Sequence, residues 1–80
     1  KHMDTIENLA KEFPGVADAW AFQAGREVRV MVKPEEVNDE KSVILARDIA
    51  KTLEEKVSYA GQVKVTVIRE VRSEATTKAK

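Results

Sequence analysis

The stretch VADAWAFQAGREVRVMVKP, from Val16 to Pro34, restricts the fold more than any other part of the chain. In its second arm Val28, Val30 and Val32 alternate with Glu27, Arg29, Met31 and Lys33, a period of two that lays one row on a core and the other in water. The first arm, Ala17 to Gln23, carries the large apolar residues Trp20 and Phe22, which read as core residues of the first strand. Between the arms lies Gln23-Ala24-Gly25-Arg26, where Gly25 supplies the positive φ that a short hairpin loop with a bulge requires. Pro34 has no N–H to give a ladder, so the second strand ends there.

The segments around this hairpin read as two helices and a third strand. From Asp4 onward, Ile6, Leu9, Ala10 and Phe13 follow the i, i+3, i+4, i+7 spacing of a helix with one buried stripe, with Asp4 as N-cap and Glu7 completing a capping box. Pro14 and Gly15 stop it. Glu35 to Glu40 is a polar loop in which Asn38 or Asp39 caps a longer helix from about Lys41 to Val57. Its apolar positions Val43, Ala46, Ile49, Ala50, Leu53 and Val57 are helically spaced, and Ile44 and Leu45 widen the stripe. Ser58-Tyr59-Ala60-Gly61 turns the chain, the Tyr59 ring packing on a helix end with its hydroxyl in water. Gln62 to Arg69 then alternates Val63, Val65, Val67 against Lys64, Thr66, Ile68 as a third strand.

The order α-β-β-α-β predicts an α+β fold of two layers, a three-stranded mixed sheet with both helices on one face. The second and third strands are expected to be parallel, directly or across the first. A single domain spans residues 4–72, the opening Lys1-His2-Met3 reads as a cloning remnant, and residues 73–80 read as a flexible tail.

Composition excludes several classes of function. Lys and Arg number 14, Asp and Glu 14, so no net field draws the chain to nucleic acid or to an anionic membrane. There is no cysteine, hence no disulfide framework and no thiolate zinc site, as in a reducing cytosol. No apolar run approaches the roughly 20 residues of a membrane span. The one histidine, His2, belongs to the cloning remnant, which leaves Ser42, Ser58 and Ser73 without a candidate base. The acidic residues Glu35, Glu36, Asp39 and Glu40 lack the spacing and central glycine of a calcium loop and read as a solvated loop. Gly15, Gly25 and Gly61 are isolated and form neither a phosphate-binding loop nor the G-x-x-G clamp of a KH domain.

The strongest local signal is basic. Arg29, Lys33 and Lys64 project from the sheet face opposite the helices, with Arg26 at the hairpin tip and Arg69 and Arg72 at the end of the third strand. A phosphate backbone could lie across them, whereas ordinary solvation of an open sheet needs the same residues, and Glu27 weakens the patch. An exposed sheet edge offers a third possibility, pairing with a partner strand.

Four blocks carry a resemblance to a known family: Phe13-Pro14-Gly15-Val16, FQAGREVRVMVKPEEV from Phe22 to Val37, LARDIAK from Leu45 to Lys51, and GQVKVTVIRE from Gly61 to Glu70. Together they resemble the C-terminal region of ribonuclease Y, from about Ile6 to Arg72. Tyr59-Ala60-Gly61 stands where that family often has Tyr-Pro-Gly, and the ending after Glu70 departs from its pattern. The resemblance implies a bacterial parent that initiates messenger RNA decay, with a membrane anchor, a coiled coil, a KH domain and a metal-dependent HD hydrolase domain. It assigns no catalytic, cofactor or metal residue to this segment; the divalent metal belongs to the parent's hydrolase domain.

Three roles are therefore expected. The first is a non-catalytic accessory domain acting on the hydrolase domain of its own parent, or on a second copy, through protein contact or self-association. The second is an auxiliary domain that binds single-stranded RNA through Arg26, Arg29, Lys33, Lys64 and Arg69. The third is a small-ligand regulatory domain. A cytoplasmic segment without membrane contact of its own is expected, on a parent held at the inner face of the bacterial membrane.

Overall fold

The chain runs α1 (His2–Lys11), β1 (Val16–Phe22), β2 (Glu27–Val32), α2 (Asp39–Lys56) and β3 (Lys64–Arg69). The computed structural model describes residues 2–57 and 61–79, so the placement expected for Tyr59 lies outside the described residues. β2 is the middle strand of a three-stranded sheet, antiparallel to β1 and parallel to β3. Of the two arrangements left open by the sequence, the direct β2–β3 pairing is the one found, and the α+β fold in two layers stands as expected.

The register explains the core. Val28 sits opposite Ala21 and Val65, and Val30 opposite Ala19 and Val67, so the two valine rows share one face. Ile6 and Ala10 of α1 and Ile49 and Leu53 of α2 close over that face and are themselves buried. Burying side chains of this size stabilises by roughly 1.5–3 kcal/mol each before chain entropy is counted.

One expectation is corrected. Trp20 and Phe22 are not core residues; they lie on the opposite face, 40% and 38% exposed, and the small residues Ala19 and Ala21 face the helices instead. The cause is a bulge. Val16 pairs with Val32, but the next pair is Asp18 with Met31, so Ala17 is an extra residue. One inserted residue flips the facing of everything after it, and Trp20 and Phe22 turn outward.

Turns and caps differ from expectation in detail. α1 already includes Met3, and Asp4 lies in its first turn rather than at a cap, where its carboxylate still suits the helix dipole. Asn38 does cap α2, its side chain accepting from the Lys41 N–H at 2.8 Å. Gly25 has the expected positive φ of 88°, but Gln23 at 53° and Ala24 at 58° share it, a conformation that costs non-glycine residues about 1 kcal/mol each. Val37, placed by sequence in a polar loop, is buried. It packs on Gly15, whose φ is +86° and where an added Cβ would lie 2.5 Å from Val37 Cγ2.

These two glycine-region strains have opposite remedies. Gly15→Ala is expected to lower the unfolding free energy by about 1–3 kcal/mol. Ala24→Gly should be neutral or raise it by up to about 1 kcal/mol, since relief of the strain offsets the extra freedom of the unfolded glycine. Urea unfolding of the two variants checks both signs.

Candidate functional site

The sheet face left bare by the helices is read rung by rung from the register. Trp20, Arg29 and Thr66 form one rung, Phe22, Glu27 and Lys64 the next, and Asp18, Met31 and Ile68 a third. Trp20 and Phe22 are exposed, while Met31, Thr66 and Ile68 are half-buried. The Arg29 guanidinium lies 4.7 Å from the centre of the Phe22 ring and its Nε is 3.2 Å from Glu27 Oε2. A cation stacked on a ring and held by a carboxylate is well positioned but largely neutralised. Trp20, Met31 and Val32, with Glu70 and Arg72 from the segment after β3, line an open depression of about 430 Å³.

The five basic residues expected to act together are divided by the fold. Arg29 and Lys64 share the bare face, on adjacent rungs. Arg26 is exposed at the turn before β2. Lys33 lies past the end of β2 with its Nζ 3.9 Å from Glu36. Arg69 is opposite Val32, on the core row, so its side chain runs to the helix side. There its Nε donates to the Val37 carbonyl and its Nη1 meets Asp39 at 2.7 Å, tying the end of β3 to the start of α2. The parity of Val63, Val65 and Val67 carries the signal for this, because Arg69 continues their row.

Other polar roles were not visible in the sequence. Glu7, read as half of a capping box, instead accepts the Ala21 N–H at 2.9 Å, and Asp18 accepts the Ala19 N–H at 2.8 Å. Two carboxylates thus occupy outward N–H groups of β1. Such guarding blunts a sheet edge against a further strand. Asp18 is itself 3.5 Å from Lys11 Nζ.

No donor set for a metal fits these residues: among the described residues no group of three or more His, Cys, Asp or Glu side chains could hold an ion. Among the described residues no helix is long and apolar enough to cross a membrane.

The fold and face together define a small two-layer α+β module with one helix-free sheet surface on which aromatic and basic side chains meet. No protein-family model matches the chain, and no solved structure matches it. Curated relatives do, and over the segment it spans the chain belongs to the ribonuclease Y family. It is 59% identical to ribonuclease Y of Thermoanaerobacter pseudethanolicus over 70 residues, 88% of this chain. It is 53% and 52% identical to those of Chloroflexus aurantiacus and Thermus thermophilus over 73 residues, 91% of the chain. The chain corresponds to the C-terminal part of these relatives and spans only 13–14% of their length.

An outward Trp20 predicts a weak dependence of stability on its size. Trp20→Ser is expected to shift the unfolding free energy by less than about 1 kcal/mol, against roughly 3–5 kcal/mol for a truncated core tryptophan. Wild-type emission should be that of a partly solvated indole. Denaturation followed by circular dichroism, with the emission maximum of the wild type, tests the placement; a core-sized loss would contradict it.

Proposed function

We propose that the segment is a non-catalytic accessory domain of a ribonuclease Y-type endoribonuclease, and that it docks on protein, the hydrolase domain of its own parent first of all, through the helix-free sheet face. The observation that carries this reading is the exposure of Trp20 and Phe22 side by side with half-buried Met31 and Ile68. Tryptophan in a part-apolar patch is the usual energetic centre of a protein interface. The charges around it support contact over attraction to phosphate. Arg29 is paired with Glu27, Arg72 with Glu70 and Glu74, and Arg69 faces the other way. The match to ribonuclease Y over so small a share of that protein's length agrees with a part that assists chemistry carried elsewhere in the polypeptide.

One feature favours the second role, binding of single-stranded RNA. The Phe22 ring, the Arg29 guanidinium above it and Lys64 on the same rung as Phe22 are the elements of a base-stacking platform. A single set of mixtures separates the two. Sedimentation of the segment with the parent's separately produced hydrolase domain is expected to show a complex that Trp20→Ser weakens by at least about tenfold. Titration with oligouridylate at low salt is expected to leave the Trp20 fluorescence unchanged. No complex, together with salt-sensitive quenching by the oligonucleotide, would transfer the face to RNA.

A further inference from the structure

The two edges of the sheet are treated differently by the rest of the chain. On β1 the outward N–H groups of Ala19 and Ala21 are taken by Asp18 and Glu7. On β3, Lys64 N–H donates to the Arg26 carbonyl at 2.9 Å, which places the bonding groups of Lys64 on the β2 side. Alternate residues of a parallel strand bond the same neighbour, so Val65 and Val67 direct their N–H and C=O groups away from β2. Among the described residues no other part of the chain hydrogen-bonds to these outward groups. A row of unpaired backbone groups is a template for another strand.

At the start of this edge lies a groove of about 550 Å³, lined by Gly61, Gln62, Val63 and Lys64 and by Arg47, Ala50, Lys51 and Glu54 of α2. Ala50 is exposed and small, which leaves room between helix and edge. Among the described residues Arg47 and Lys51 make no ion pair, although Arg29, Lys33, Arg69 and Arg72 all do. Two such cations against the single carboxylate of Glu54 give the groove a positive excess.

We propose that the open edge of β3 takes an extended, acidic segment of a protein partner as a fourth strand of the sheet, bonded to Val65 and Val67, with one end over this groove and held there by Arg47 and Lys51. Main-chain bonds give such an arrangement its affinity, and the side chains along the groove select the charge of the partner. Each cation meets a carboxylate across the added strand, and the edge guarded by Glu7 and Asp18 stays unpaired. The groove is distinct from the helix-free face, so either assignment stands or falls without the other.

The test uses two short synthetic peptides, one alternating valine with glutamate and one alternating valine with lysine. On titration of the glutamate peptide, the amide resonances of Val65 and Val67 are expected to move and their hydrogen exchange to slow by at least about tenfold, with the Trp20 indole resonance unmoved. Arg47→Glu with Lys51→Glu, both at exposed positions, should weaken that binding by roughly tenfold or more. Val67→Pro, which removes an outward N–H, should abolish it. Circular dichroism shows whether the proline variant folds; if it does not, the charge-reversed variant decides. Unchanged exchange at Val65 and Val67, equal binding of the lysine peptide, or full binding by the charge-reversed variant would each overturn the proposal.

Discussion

Everything in this structure hangs on β2, the one strand bonded along both sides. Its row of Val28, Val30 and Val32 is the floor on which α1 and α2 meet, and its other row sets the rungs of the bare face. A chain of 80 residues has little apolar surface to bury, so a middle strand whose core row is entirely β-branched is an economical source of order. Both edges inherit their position from it, and so do the two surfaces on which function is proposed.

The inserted Ala17 is what turns a plain helix-covered sheet into a surface with chemistry. Without it, Trp20 and Phe22 would point at α1, where Ile6 and Ala10 already fill the space above Ala19 and Ala21. With it, small residues admit the helix at close range and the large ones are released to solvent. A bulge near the end of an edge strand is a common way to re-aim side chains. Here it places two aromatic rings on a face that also carries Arg29 and Lys64.

Charge in the molecule is organised locally. Net charge is zero, yet Arg29, Lys33, Arg69 and Arg72 are satisfied by nearby carboxylates, while Arg47 and Lys51 along the α2–β3 groove make no ion pair among the described residues. The carboxylates that guard β1 belong to the same economy, because Glu7 and Asp18 close one edge and leave the other open. The segment corresponds to about one seventh of the ribonuclease Y it matches, and these are the two surfaces on which protein contact is proposed.

The α-β-β-α-β order, the two helices, the third strand and the shared valine face were all legible in the residues, because helical and strand periods repeat over enough positions to be unambiguous in α2, β2 and β3. The family, too, was legible, in blocks such as QAGREVR and KVTVIRE. What alternation cannot say is which of two apolar rows is buried. In β1 both Ala19 with Ala21 and Trp20 with Phe22 are apolar, and only the bulge, together with the width of the gap under α1, decides between them. The same holds for Arg69 and Glu7, and for the ion pair of Asp18 with Lys11: these partners lie on other elements, brought near by packing rather than by sequence, so these roles exist only in the folded chain.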